Sequence, residues 1–146
     1  MKWIDLPPVW LAAMAMLVWV FAGQGSLMFA AQSTVGGVLI GAGLGLMASA
    51  IIEMTRRRTT VIPHMQAATL VDTGIFRFSR NPIYLGDTLI LCGLILRWMP
   101  PWWLWLTVPA FVWIITVRFI KPEEAMLQTH FGTAFERYRK HTRRWL

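Results

Sequence analysis

From Leu6 to Ile52 the chain carries no charged residue. A stretch so long and so apolar has few homes. In water it exposes more hydrocarbon than a small domain can cover. In a bilayer it is too long for one crossing and about right for two. Gly23-Gln24-Gly25-Ser26 and Gln32-Ser33-Thr34 break it, so helices are expected near Val9–Ala30 and Val35–Glu53. At ~1.5 Å per residue, each comes close to the ~30 Å hydrocarbon core. Phe29-Ala30-Ala31 ends in small residues, as a signal-peptide cleavage site does. The run is longer than a usual apolar signal region, Asp5 flanks it and a second run follows, so an uncleaved span is expected.

The rest of the chain keeps the same pattern. Of the 146 residues 56% are hydrophobic and 14% charged, and the apolar ones fall in runs, which makes lipid the solvent. The net charge of +7 then points to an anionic lipid surface rather than to nucleic acid. Cys92 is the single cysteine, which excludes an intramolecular disulfide and a zinc site made of thiolates alone. A third apolar run covers Ile83–Leu96, Pro100-Pro101 ends it, and Trp102–Ile120 is the fourth, with Pro109 expected to kink it without ending it. Trp98, Trp102, Trp103 and Trp105 suit a membrane–water interface.

The expected fold is therefore an all-α integral membrane protein of about four transmembrane helices, followed by amphipathic C-terminal helices. With four spans, Lys2, Arg56, Arg57, Arg58, Arg77, Arg80, Arg118, Lys121 and the basic tail share one side, and Arg97 alone lies on the other. The positive-inside rule puts that basic side, with both termini, in the cytoplasm. In the tail, Leu127, Phe131, Phe135 and Tyr138 recur at helical spacing among basic residues, with Gly132 as a break. On the second helix Gly37, Gly41 and Gly45 share a face that lets another helix approach closely, from the same chain or from a second copy.

Polar residues gather at the basic ends of the last two spans. Asn81 is a good N-cap and Pro82 suits the first helical position. The free N–H groups there, with Arg80 beside them, can hold a carboxylate or phosphate. Gly86 and Gly93, seven apart, leave room for a flat ligand or a close helix. Asp87 lies one turn inside the apolar segment, where an ionisable group is costly unless paired or wet. That makes it a functional candidate, with snorkelling toward the headgroups as the alternative. Glu123 and Glu124 open a further helix, where capping explains them as well as ligand binding does. His64, His130 and His141 lack a second ligand at useful spacing, so no metal is expected. No Gly-x-Ser-x-Gly, P-loop or His-Glu-x-x-His occurs, and no strand precedes a Rossmann glycine pattern.

Three segments resemble the isoprenylcysteine carboxyl methyltransferase and phospholipid methyltransferase superfamily. The first is Ala68-Thr69-Leu70-Val71-Asp72-Thr73-Gly74-Ile75-Phe76 through Arg80-Asn81-Pro82-Ile83-Tyr84-Leu85-Gly86. The second is the acidic pair in Glu123-Glu124-Ala125-Met126-Leu127. The third is Phe131-Gly132-Thr133-Ala134-Phe135-Glu136-Arg137-Tyr138. The likeness runs from near residue 60 to the end. It implies a single methyltransferase domain, with residues 1–58 as an N-terminal helix pair and 59–146 as the cofactor-binding core. The cofactor it implies is S-adenosyl-L-methionine, held by Leu70, Val71, Phe76, Arg80, Asn81, Pro82, Tyr84, Gly86, Glu123 and Glu124. Arg118 and Glu123 fall where the resemblance implies catalytic roles, Arg118 on the substrate side.

Asn81 departs from the His usual in the isoprenylcysteine enzymes and is similar to the phospholipid N-methyltransferases and many bacterial relatives. The resemblance thus implies a short bacterial-type member of an inner membrane. Its acceptor is hydrophobic or lipid-like, and carboxylate, amine and thiol all stay open. An amine or thiol must shed a proton, for which Glu123, Glu124, Asp87 or His64 is suited. The competing reading is a non-catalytic module that pairs through the Gly37/Gly41/Gly45 face.

Overall fold

The computed structural model describes residues 6–24, 30–59 and 69–146, and among them it is helical with no strand. His64, Ala68, Lys2 and Asp5 lie outside the described residues. Helix α1 spans Pro7–Val20 and starts on a proline, whose missing N–H costs nothing at that position. It ends ten residues short of the expected boundary, because Gly23 turns the chain at φ +73° and its N–H donates to the Trp98 carbonyl at 2.7 Å. Helix α2 spans Ala30–Arg56 and α3 spans Pro82–Trp98. Helix α3 stops at Met99, left-handed at φ +49°, just before Pro100-Pro101.

The last long helix differs most from expectation. A 3-10 stretch at Trp102–Leu106 leads into α4, Thr107–Ile115, which places Pro109 in the first α turn instead of at a kink. The fourth span was expected to end at Ile120, yet Thr116–Ile120 forms a π turn and runs straight into α5, Lys121–Phe131. Pro122 explains this. A proline inside an α-helix removes one hydrogen bond and clashes with the carbonyl four residues back, here Arg118, and a π turn relieves that conflict. Gly132, at φ +49°, separates α5 from α6, Thr133–His141. Among the described residues, two helices are long and apolar enough to cross a membrane, Ala31–Arg56 and Trp102–Phe131.

Helices α2 and α3 make the most extensive helix contact, and it is antiparallel. Gly36 faces Gly93 and Gly43 faces Gly86. A Cβ on Gly36 would stand 2.7 Å from the Gly93 carbonyl oxygen, and one on Gly43 would stand 2.6 Å from that of Gly86. Backbone meets backbone at both levels, which only glycine permits. The expected close-approach face is therefore one residue out of phase: Gly37, Gly41 and Gly45 have nothing within 4 Å. The Gly86/Gly93 face is likewise occupied by a helix and leaves no slot for a flat ligand.

Two apolar clusters flank the bundle. Val18, Tyr84, Leu91, Ile95, Phe111, Ile115, Phe119 and Ile120 join α1, α3 and the last long helix. Ala50, Val71, Phe76, Phe135 and Tyr138 join the end of α2, the loop after it and α6.

Candidate active site

Where the two clusters meet, a cavity of about 810 Å³ opens, with Tyr84 from the first and Val71, Phe76, Phe135 and Tyr138 from the second in its wall. That volume falls in the ~300–1,000 Å³ range of small-molecule sites. The starts of α1 and α3, the end of α2, and α5 and α6 all reach it.

Each wall is fixed locally. The loop after α2 is tied down through Glu53, which accepts from the Thr73 hydroxyl, and through Arg57, whose Nη2 donates to Thr73 Oγ1 at 3.1 Å and whose carbonyl accepts from Thr69 Oγ1 at 3.1 Å. This sets Leu70 and Val71 against the cavity. The 3-10 turn Gly74–Arg77 begins at φ +58°, with the Glu53 carboxylate packed where a Cβ would go, and buries Phe76. The Tyr138 hydroxyl donates to the Phe76 carbonyl at 2.7 Å and clamps α6 onto that turn. Burial pushes the Tyr138 hydroxyl above the usual tyrosine pKa, although Arg80 pulls the other way.

The C-terminal segment straps the entry to α3. Arg80 N donates to the Arg143 carbonyl at 3.0 Å, and Asn81 Nδ2 donates to the Arg144 carbonyl at 2.9 Å. Asn81 thus spends its side chain on this strap and makes no side-chain cap on α3, contrary to the capping expectation. The Arg144 guanidinium grips Glu124 with two bonds, Nε to Oε1 at 3.0 Å and Nη2 to Oε2 at 2.6 Å. That bond raises the Arg144 pKa above its ordinary value.

Arg80 completes the arrangement. Its Nη2 pairs with Glu124 Oε1 at 3.1 Å, and its side chain is only 9% exposed. It lies 6.0 Å from the centre of the Phe135 ring. Burial lowers its pKa, the Glu124 carboxylate works against that, and an arginine stays charged regardless. Among the described residues, nothing accepts from its Nε or Nη1, although both are buried. Two buried charge-assisted donors without an acceptor leave the Arg80 guanidinium with unspent capacity for an anionic partner beside the cavity. In the same lining the Tyr84 hydroxyl donates to Glu123 Oε1 at 2.8 Å. Asp87 sits one turn deeper, 2% exposed, in the same wall.

The structure therefore brings Leu70, Val71, Phe76, Arg80, Asn81, Pro82, Tyr84, Glu123 and Glu124 to one cavity. Gly86 and Arg118 are not in its lining. Gly86 backs onto Gly43 of α2. The Arg118 guanidinium stands 5.9 Å from the centre of the Trp10 ring, toward α1. Arg118 lies in the π turn, five positions before Glu123. Met47, Ile51 and Met54 of α2 and Leu6, Pro7 and Pro8 at the start of α1 also wall the cavity. No chemical feature of these apolar side chains marked them in the sequence, and the cofactor-binding core was expected within residues 59–146.

The sequence model of the phospholipid methyltransferase family matches residues 31–134, from α2 into α6. No curated protein and no solved structure matches the chain.

Proposed function

The chain belongs to the phospholipid methyltransferase family, within the superfamily that also holds the isoprenylcysteine carboxyl methyltransferases, and from this premise we propose that its cavity binds S-adenosyl-L-methionine and transfers the methyl group to a lipid-like acceptor. The observation that carries this reading is Arg80. Its guanidinium keeps two N–H groups without an acceptor among the described residues, on two different edges, in the wall of a cavity that also holds acidic groups. The cofactor is a zwitterion with a sulfonium, so it needs both signs at once. Arg80 takes its carboxylate. Glu123, oriented by Tyr84, faces its cationic or hydroxyl groups. Leu70, Val71 and Phe76 supply an apolar wall for the purine ring.

When bound, the cofactor supplies an electrophilic methyl carbon. The chain's contribution is to hold two reactants in line in a space sheltered from water. A polar cofactor enters past the strap and the ends of α5 and α6. An apolar acceptor enters sideways, where Met47, Ile51 and Met54 of α2 line the cavity beside the first residues of α1.

In this reading α1, α2, α3 and the last long helix cross the bilayer alternately. The starts of α1 and α3, the end of α2 and the residues around Glu123 then lie on the side that carries almost all the basic residues, which is the cytoplasmic side of a bacterial inner membrane. Arg97, whose Nη1 donates to Ser33 Oγ at 3.2 Å, marks the other side. Arg118, which stands against Trp10 of α1, is assigned in this reading to holding the last helix rather than to the transfer.

Calorimetry of S-adenosylhomocysteine binding to the detergent-purified full chain tests the reading. Binding is expected, and Arg80→Ala weakens it by about 10- to 150-fold, the equivalent of ~1.5–3 kcal/mol for hydrogen bonds to a charged group. Arg80→Lys does not restore it, because an ammonium lacks the planar guanidinium's fixed set of donors. A wild-type chain that gives no binding heat and transfers no label to membrane lipids refutes the proposal.

A further inference from the structure

The acidic groups of the cavity are not equivalent. Glu124 is neutralised by Arg80 and Arg144. Glu123 has the Tyr84 hydroxyl. Asp87 has neither: it is 2% exposed, it lines the cavity, and no described residue hydrogen-bonds to it or pairs with it. A carboxyl so deep in an apolar segment costs several kcal/mol and persists where something satisfies it. A neighbour on its own helix shows how easily that happens here, since the Thr88 hydroxyl donates to the Tyr84 carbonyl at 2.9 Å. Asp87 instead stands in the cavity wall with its bonding capacity unspent on any described residue.

Position separates it from the cofactor-side groups. Tyr84, Glu123 and Arg80 form the rim next to the strap, whereas Asp87 lies one helical turn further into the membrane segment. The Met47 and Ile51 side chains of α2 share that cavity with it. Resting on the methyltransferase reading, we infer that Asp87 is the specificity-determining residue on the acceptor side. It admits nucleophiles that arrive with an N–H or S–H and turns away carboxylates. A carboxylate acceptor would bring a second negative charge against a buried one. An amine or thiol brings the missing hydrogen bond and a proton that must leave. In the transfer, the acceptor's lone pair forms the new bond to the methyl carbon and the carbon–sulfur bond breaks with its electrons on sulfur. The acceptor proton passes to the Asp87 carboxylate, so the cationic sulfonium and the anionic carboxylate end as a neutral thioether and a neutral acid.

The test uses the full chain in phosphatidylcholine vesicles, methyl-labelled cofactor and three probes with one alkyl tail: an amine, a thiol and a carboxylate. S-adenosylhomocysteine binding is measured in parallel. The wild type labels the amine or the thiol in preference to the carboxylate. Asp87→Asn lowers kcat/KM on the preferred probe by about 100-fold or more, leaves S-adenosylhomocysteine affinity unchanged, and narrows the preference against the carboxylate. Asp87→Glu, which keeps the carboxyl, restores part of the activity. Full activity in Asp87→Asn overturns the assignment. So does a wild-type preference for the carboxylate, or a loss of S-adenosylhomocysteine affinity that parallels the loss of rate. A wild type that binds no S-adenosylhomocysteine overturns the methyltransferase reading itself, and this inference with it.

Discussion

Replacing Gly43 with alanine adds one methyl group at the tightest point between α2 and α3. That carbon would lie 2.6 Å from the Gly86 carbonyl oxygen and 2.8 Å from Ile90 Cγ1. Ordinary contacts between such atoms are ~3.5–4.0 Å, so the two backbones must part by nearly 1 Å. Overpacking costs roughly 1–3 kcal/mol, and the upper end applies because the obstacle is main chain. Alanine returns about 1 kcal/mol through its better helix propensity, which leaves a net loss of about 2 kcal/mol. At roughly 2–4 °C per kcal/mol for a chain near this size, thermal unfolding in one detergent, followed by far-UV circular dichroism, falls by roughly 4–8 °C. Gly41→Ala is the control. Nothing lies within 4 Å of its added carbon, so only the propensity gain remains and Tm rises by roughly 2–4 °C. Equal losses at Gly43 and Gly41, or a neutral Gly43→Ala, would refute the assignment of the packing face.

Two further outcomes follow from the polar contacts. Glu124→Gln strands the Arg80 charge, whose side chain is 9% exposed, and frees Arg144 from its two bonds; a loss of about 3 kcal/mol is expected by equilibrium unfolding in mixed micelles, and a variant as stable as wild type contradicts the buried pairing. Tyr138→Phe leaves the Phe76 carbonyl without its 2.7 Å donor, at a cost of about 1–3 kcal/mol, while Phe131→Leu at the end of α5 costs less. The same unfolding experiment ranks the two.

What was legible beforehand follows physical lines. Pro82 as a helix start and Gly132 as a break were readable because proline and glycine act through their own backbone, whatever surrounds them. The meeting of Asn81 and Tyr84 with Glu123 and Glu124 in one cavity was anticipated from the family resemblance, since their pattern alone reads equally as helix capping. The packing face of α2 was not. Gly36, Gly37, Gly41, Gly43 and Gly45 all lack a side chain, and only the position of α3 decides which of them are needed. The run of the last helix through Pro122 was also hidden, since a proline more often ends or kinks a helix than is absorbed by a π turn. Asn81 reads as a cap in isolation, and the Arg144 carbonyl that claims its side chain lies 63 positions further along.

That last bond carries a temporal implication. The mouth of α3 is finished by carbonyls of Arg143 and Arg144, which leave the ribosome long after Arg80 and Asn81 do. At ~5–20 residues per second, the 63 intervening positions take about 3–13 s to synthesise. During that interval the bundle helices can already be inserted and paired, while the hollow between them stays open on the side the strap will close. Biogenesis thus divides into an early phase governed by lipid and a late phase governed by a handful of hydrogen bonds. A fusion or amino-acid change in the final residues would therefore disturb ligand affinity before it disturbed insertion.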